Sequence, residues 1–194
     1  MSVAIFFLPL RHHCKLLIGM SDFKDLVGGR RSHRLYKEEE LSEDDVQLIL
    51  RAALYAPSGH GRRNWQFVVV EDKADLEKLA DCKESGAAFL KGAALAVAVL
   101  CDPQANECWR EDCSIAAVTM QYQAEDLGIG SCWVQIAERY LSDGTPAEQV
   151  VRGILDIPEQ MRCLCIVGFG KKKLNLLPNE EDALKWENVH LGKF

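Results

Sequence analysis

Four short apolar runs, set apart from one another by helical patterns, constrain the fold of this 194-residue chain more than any other feature. Each run has the length of a single strand, and most are rich in β-branched or aromatic residues. The runs lie at residues 65–70, 94–100, 131–136 and 163–169. Because scattered strands among more numerous helices form a sheet that helices cover, the pattern predicts an α+β or α/β fold.

The helical segments carry start and stop signals. Ser42, with Asp45 three residues later, begins a helix that Pro57 ends. A long helix over 112–127 stops at Gly128, a residue suited to the left-handed position that closes many helices. Two further helices are predicted, one over 75–82 and one that starts from a capping box at 145–148 and runs to about residue 155.

Size and composition favour one domain without a membrane segment. Hydrophobic residues make up 48% of the chain, which is enough for a substantial core. No apolar run reaches the ~18 residues that a membrane span needs. The net charge of -6 and the pI of about 5.4 argue against a nucleic-acid partner, which would require a broad basic face.

The N-terminus does not have the pattern of a secretion signal. Residues 3–10 are apolar, but no basic residue precedes them and a proline interrupts them. Ser21 would cap a helix that begins at Asp22. We therefore expect an N-terminal extension at 1–19, a single domain at 20–194 and a cytoplasmic location.

Eight cysteines do not form a recognisable metal or disulfide pattern. No C-x-x-C occurs, and no Cys/His set has zinc-finger spacing, so no metal site is predicted. Cys101, Cys163 and Cys165 lie within apolar runs and are expected to be buried. Reduced thiols are the expected state.

Basic residues gather at three places in this acidic chain. The clusters are 30–34 (RRSHR), 62–63 (RR) and 171–173 (KKK), and they hold eight of the 23 Lys and Arg. Guanidinium groups, a serine hydroxyl and backbone N–H groups together suit a phosphate. The clusters therefore indicate a site for a small, discrete anion, while three separate solvated surface clusters are the alternative.

The usual nucleotide and hydrolase motifs are absent. There is no P-loop, no complete G-x-G-x-x-G, no G-x-S-x-G and no H-E-x-x-H. The histidines have no obvious acid or nucleophile partner. If the chain is an enzyme, its chemistry is expected to be carried by a bound cofactor.

Taken in order, these segments resemble the FMN-dependent nitroreductase family. That family typically shows R-R-S-x-R near its start, a helix ending in A-P-S, a long helix ending in G-[LI]-G-S, a strand starting near C-W-[IV], and a strand ending at a glycine followed by basic residues. The resemblance covers about residues 22–194. The matching segments here are 30–34, 56–65, 128–134 and 168–173.

The resemblance implies an α+β fold with a mainly antiparallel central sheet flanked by helices, built as an intertwined homodimer with FMN at its interface. A backbone N–H near Val134 and Gln135 would face flavin N5, and no catalytic side chain is assigned. The loop before Trp65 departs from the family, with Gly61 and Arg63 where Asn and Gln are common. The implied cofactor-binding residues are Arg30, Arg31, Ser32, Arg34, Pro57, Ser58, Arg63, Cys132, Trp133, Val134, Gln135, Lys171 and Lys173.

The implied activity is transfer of reducing equivalents from NAD(P)H through FMN to a small acceptor, such as a nitroaromatic compound or a quinone, by a ping-pong mechanism. A non-catalytic FMN carrier or sensor is the alternative. A thiol-redox protein is a third hypothesis, with Cys132 as its candidate thiol. A C-terminal arm from about residue 174 carries apolar side chains among polar ones and is expected to pack on the partner subunit.

Overall fold

The structure, a computed structural model, describes residues 22–194. The predicted extension at 1–19 and the proposed capping residue Ser21 lie outside the described residues. Within them the fold is α+β, as predicted, with five α-helices and four β-strands. In chain order these are α1 Phe23–Gly29, α2 Glu43–Tyr55, β1 Gln66–Val70, α3 Lys73–Ala80, β2 Leu95–Cys101, α4 Trp109–Asp126, β3 Ile129–Gln135, α5 Ala147–Leu155 and β4 Arg162–Lys171.

The four strands form one antiparallel sheet in the order β1-β2-β4-β3. The two central strands are β2 and β4, and every residue of β2 is buried. Their near-continuous apolar sequences follow from this position, since helices cover both faces of the sheet. β3 is the last strand in this order and so forms one edge of the sheet, although most of its residues are buried.

Two separate hydrophobic cores lie on the two faces of the sheet. One core joins α2 and α4 to the sheet through residues such as Ile49, Met120 and Phe169. The other joins α3 and α5 to the opposite face through residues such as Leu79 and Val151. Helices pack on both faces of the sheet, and this packing fixes the positions of the two edge strands. Among residues 22–194, no helix combines the length and the apolar character that crossing a membrane requires.

The start of α2 and the end of α4 follow the predicted signals, whereas other helix starts are corrected. α1 begins at Phe23 with Asp22 as its N-cap, α3 begins at Lys73, and α4 begins at Trp109. Ser42 caps α2 by accepting a hydrogen bond from the Asp45 N–H at 3.2 Å. Gly128 has a φ of +71° just after α4, which is the left-handed conformation expected there. The prediction of a capping box at 145–148 is wrong, because Pro146 takes the N-cap position and its side chain cannot accept a hydrogen bond. The Glu148 carboxylate instead accepts hydrogen bonds from the Arg162 side chain and the Cys163 N–H.

The C-terminal arm is tied to its own subunit only over its first part. Arg31 donates a hydrogen bond to the Leu177 carbonyl, and the Asn179 N–H donates to the Gly28 carbonyl at 3.0 Å. Beyond residue 180 the arm has two short 3₁₀ turns and no buried residue. Its large apolar side chains, including Trp186 at 68% exposure, face away from the core.

Candidate functional site

The outer edge of β3 is the centre of the candidate site. The Ser131 carbonyl accepts a hydrogen bond from the His33 N–H at 3.0 Å, so the backbone groups of Ser131 face away from β4. In an antiparallel strand, every second residue faces the same side. The N–H and C=O groups of Trp133 and Gln135 therefore also face outward. Within residues 22–194, neither of these two N–H groups donates to another protein group.

The segment before Tyr36 lies against β3 and β4 through close backbone contacts. Ser32 forms a parallel bridge with Ser131, and Tyr36 forms an antiparallel bridge with Lys172. The Tyr36 hydroxyl donates to the Gly168 carbonyl at 3.2 Å. A Cβ at position 170 would lie 2.8 Å from the Tyr36 ring, so glycine is needed there for the segment to approach. These contacts fix the backbone that carries the first basic cluster.

The charges nearest to β3 are mainly positive. Burial raises the pKa of the Cys132 thiol, and the nearby side chains of Arg34, Ser32, Arg30 and Lys83 oppose that rise. Arg34 is exposed, whereas Cys132 is only 1% exposed. The structure thus brings Arg30, Ser32 and Arg34 together beside the open strand edge. A small anion with ring or carbonyl acceptors would find both cations and N–H donors there.

Lys83 is a candidate site residue that sequence reasoning did not identify. Its ammonium group donates to the Gln135 carbonyl at 3.0 Å, at the opposite end of the edge from Ser131. Partial burial lowers the pKa of Lys83, and among the described residues no carboxylate lies within ion-pair distance of it. In the sequence, Lys83 is one of many charged residues after a short helix. No local pattern marks it, because only the fold places it beside β3.

The backbone N–H groups of Val134 and Gln135 point in opposite directions from β3. Val134 is fully buried in the core with α3 and α5, and its backbone faces β4. Gln135 is the residue whose N–H faces outward. Its side chain is held on both sides, since it accepts from the Trp133 indole N–H at 3.0 Å and donates to the Ala137 carbonyl at 3.2 Å.

The other predicted basic residues are engaged in different contacts. The Arg31 side chain bonds to the arm, as described above. Lys171 forms an ion pair with Asp45 at 3.5 Å, and Lys172 forms one with Glu125 at 2.7 Å. Lys173 is exposed, and its backbone N–H donates to the Leu35 carbonyl at 3.2 Å. Of these lysines, the side chain of Lys173 is the one that no described carboxylate neutralises.

The loop with Pro57, Ser58 and Arg63 lies elsewhere in the subunit. The Ser58 hydroxyl accepts from the Arg63 N–H at 2.9 Å, which holds Arg63 at a φ of +53°. The Gly59 N–H donates to the buried Asp112 carboxylate at 2.9 Å, so the loop is anchored at the start of α4. Pro57 and Arg63 are exposed, whereas Ser58 is half-buried.

The two halves of the predicted site are far apart within one chain. The loop is attached at Asp112, while the segment with Arg30 to Arg34 lies near Glu125 at the other end of α4. Glu125 follows Asp112 by thirteen positions of α-helix, which corresponds to roughly 20 Å. The loop also leads into β1, and β1 and β3 are the opposite edges of the sheet, three strand spacings or roughly 14 Å apart. One chain therefore does not place the loop beside the edge of β3.

Metal chemistry and thiol chemistry have little support in the described residues. Within 22–194, no group of three or more His, Cys, Asp or Glu side chains is arranged to hold a metal ion. The seven cysteines in this range are free, and six of them are buried. Burial raises the pKa of Cys132 and raises that of Cys82 to about 11, which disfavours a reactive thiolate. Cys101, Cys163 and Cys165 are buried, as predicted.

Fold and edge strand together define an α+β protein in which outward N–H groups of β3 lie beside basic side chains. Comparison with known proteins identifies the family of the chain. The model of the Nitroreductase family matches residues 27–99 and 83–171. The chain belongs to the nitroreductase family, which is a family of oxidoreductases, and the predicted resemblance is confirmed.

Individual relatives agree with this assignment over nearly the whole chain. A Clostridium difficile R20291 structure described as an FMN-dependent nitroreductase superposes with a TM-score of 0.86 at 38% identity, covering 88% of this chain and 99% of that one. An Archaeoglobus fulgidus protein, named as a candidate NADH dehydrogenase/NAD(P)H nitroreductase, is 32% identical over 79% of this chain and 87% of its own. A Methanothermobacter thermautotrophicus protein with the same name is 31% identical over 91% and 90%.

Proposed function

We propose that this protein is an FMN-dependent oxidoreductase that uses NAD(P)H to reduce a small acceptor, such as a nitroaromatic compound or a quinone. The observation that carries the proposal is the open edge of β3. Two outward N–H groups lie there, and the nearest charges are mainly cations. Such an edge suits a ligand with a flat ring system that accepts hydrogen bonds and with a terminal phosphate. The relatives named for FMN and NAD(P)H support this choice.

The first basic cluster would hold the phosphate of FMN. Arg30 and Arg34 supply the charge, and Ser32 supplies a hydroxyl on the same segment. The Arg31 side chain is bonded to the arm, so only its backbone remains for the cofactor. Lys173 would complete the charge balance, because Lys171 and Lys172 already pair with carboxylates. Within the two clusters, some basic side chains would therefore bind the phosphate and the others bind protein groups.

The strand from Cys132 to Gln135 would lie along the flavin ring, with the Gln135 N–H as the donor to N5. When bound, FMN supplies the redox chemistry, accepting a hydride from NAD(P)H and then passing electrons to the acceptor in a ping-pong sequence. The protein contributes binding and orientation. Lys83 holds the Gln135 carbonyl and so fixes the peptide plane next to the proposed donor.

The proposal includes a homodimer, because a single chain leaves the site incomplete. The loop with Ser58 and Arg63 leads into β1, which lies at the opposite edge of the sheet from β3, three strand spacings or roughly 14 Å away. A partner subunit would bring its own loop to this edge. Apolar side chains on α1, α2 and α4 offer a surface for that partner, since a monomer rarely exposes so many. They are Phe23, Val27, Leu54, Tyr55, Ile115 and Val118.

NAD(P)H oxidation by the FMN-loaded protein tests the activity. We expect oxidation only when FMN and an acceptor are both present, and parallel double-reciprocal plots when the two substrates are varied. Arg34→Ala should lose activity at limiting FMN and recover it at high FMN, because the change affects cofactor binding.

The same assay separates the carrier or sensor from the enzyme. A protein that binds FMN but leaves NAD(P)H unconsumed with nitroaromatic, quinone and enone acceptors would contradict catalysis and favour a carrier or sensor. The cytoplasmic location stays a prediction of the sequence.

A further inference from the structure

A groove lined by several arginines begins just beyond the end of β3. It has a volume of about 490 Å³ and lies between the turn after β3, α5 and the start of β4. Arg139, Arg152 and Arg162 line it together with Tyr140. No local sequence pattern marks these residues, since the three arginines are far apart along the chain.

The three arginines differ in how well their charges are neutralised. Arg162 forms a forked ion pair with Glu148, with nitrogen–oxygen distances of 2.7 to 2.9 Å. Arg139 and Arg152 bond only to backbone carbonyls, those of Glu138 and Met161, each at 2.9 Å. Among the described residues, no carboxylate lies within ion-pair distance of either one. Two uncompensated guanidinium groups on one groove favour an anionic ligand.

The three carboxylates that line the groove cancel only part of these charges. Glu148 already accepts from Arg162 and from the Cys163 N–H, and Glu138 pairs with Arg110. Glu159 also lines the groove and is exposed, so two guanidinium groups without a described carboxylate partner face one carboxylate without a described cation partner. The buried Arg152 Nε has no hydrogen-bond partner among the described residues, so even the inner part of this side chain is incompletely satisfied.

The groove adjoins the proposed cofactor edge. Arg139 follows Gln135 by four residues and acts electrostatically on Lys83, whose ammonium group bonds to the Gln135 carbonyl. Tyr140, 54% exposed, presents an aromatic ring at the rim. A ligand that approaches the Gln135 end of β3 could therefore extend into the groove, with an anionic group near Arg139 and Arg152.

We propose that this groove binds the phosphate-bearing part of the nicotinamide dinucleotide donor. The inference rests on the proposed function for the identity of the donor, but the anion site itself can be tested separately. A dinucleotide fits because it carries phosphates at a distance from its reactive ring, and its adenine can stack on an exposed aromatic side chain. An acceptor carboxylate has similar chemistry, and the experiment distinguishes the two.

The kinetic test compares two electron donors on FMN-loaded protein. NADH or NADPH carries the phosphates, whereas dihydronicotinamide riboside has the same reactive ring without them. Arg139→Gln and Arg152→Gln should each raise the KM for the dinucleotide about tenfold or more, since each removes a charge-assisted bond. The KM for the riboside and the kcat should stay near their original values. Lys78→Gln, on the exposed face of α3, is the control and should change neither.

A binding measurement keeps the inference separate from the activity. Calorimetric titration of FMN-saturated protein with ADP should give binding that Arg139→Gln weakens by a similar factor, even if turnover is absent. Arg152→Lys, which keeps the charge, should bind ADP better than Arg152→Gln. Equal KM increases for both donors, or ADP binding that the variants leave unchanged, would overturn the proposal. So would binding of p-nitrobenzoate, but not ADP, that depends on Arg139, because that result would assign the groove to the acceptor.

Discussion

At the scale of single residues, the site depends on which basic side chains remain available. Arg34 is exposed beside Cys132, whereas Arg31, Lys171 and Lys172 are already bonded to other groups. The sequence marked all of these residues because they lie in charge clusters. It could not show which of them are neutralised, since the partners Asp45, Glu125 and Leu177 are distant in the chain.

Substitution of Arg34 should affect FMN binding more than substitution of Arg62. Arg34→Ala removes a charge-assisted bond to the phosphate, worth about 1.5–3 kcal/mol, so the Kd for FMN should rise tenfold or more. Arg62 is exposed and bonds only to the Ala105 carbonyl at 3.2 Å, and Arg62→Ala should leave the Kd nearly unchanged. Fluorescence titration with FMN measures both values. Equal dissociation constants would mean that the phosphate site has been assigned wrongly.

Cys132 should be part of the wall of the site and not a reactive thiol. It is buried, and burial raises the pKa of its thiol, so little thiolate exists near neutral pH. We expect Cys132→Ala to keep most of the NAD(P)H-dependent turnover, measured at saturating FMN. If turnover is lost while the flavin remains bound, a thiol-redox mechanism becomes the better explanation.

At the scale of elements, the close approach of the segment 32–36 to the sheet builds the phosphate side of the site. Gly130 and Gly170 make room for His33 and Tyr36, and a Cβ on either glycine would come within 2.8 Å of them. The positions of the strands could be predicted from their apolar runs. The order β1-β2-β4-β3 could not, because antiparallel pairing between distant strands leaves no local signal. The outward direction of the Gln135 N–H and the role of Lys83 depend on that order.

Two glycine substitutions test this packing, one at the contact with Tyr36 and one at an open position that serves as the control. Gly170→Ala should lower the free energy of unfolding by about 1–3 kcal/mol, because the new methyl group would clash with the Tyr36 ring. It should also weaken FMN binding by displacing the segment with Ser32 and Arg34. Gly153→Ala, in an open position on α5, should raise stability by about 0.5–1 kcal/mol through helix propensity alone. Urea denaturation measures both, and a Gly170→Ala protein as stable as the original would refute the contact.

At the scale of the whole molecule, two features of the single chain support the proposed homodimer. Its loop with Ser58 and Arg63 is distant from the β3 edge, and its arm leaves large apolar side chains in water. The sequence indicated an arm that needs another surface, because its apolar residues lie among polar ones. Packing of the arm on a partner stays a prediction. In the single chain, the arm's large apolar side chains beyond residue 180 are at least 50% exposed: Leu184, Trp186, Val189, Leu191 and Phe194.

Removal of the arm should disrupt the assembly and the cofactor site together. Truncation after Pro178 deletes these five side chains, each of which would contribute about 1.5–3 kcal/mol if it were buried by a partner. We expect a monomer or an aggregate by sedimentation equilibrium, with loss of FMN. Lys185→Ala combined with Lys193→Ala keeps the apolar residues and should leave the dimer intact. A truncated protein that stays dimeric and keeps its flavin would show that the arm does not hold the pair together.

The most direct test of the account is the binding of FMN itself. The purified protein, or the cofactor-free protein titrated with FMN, should show flavin absorbance and a change in flavin fluorescence that saturates at one FMN per chain. Arg34→Ala should shift the midpoint of that titration to higher FMN. A colourless protein that neither quenches nor retains added FMN would contradict the proposed site on β3 and the function built on it.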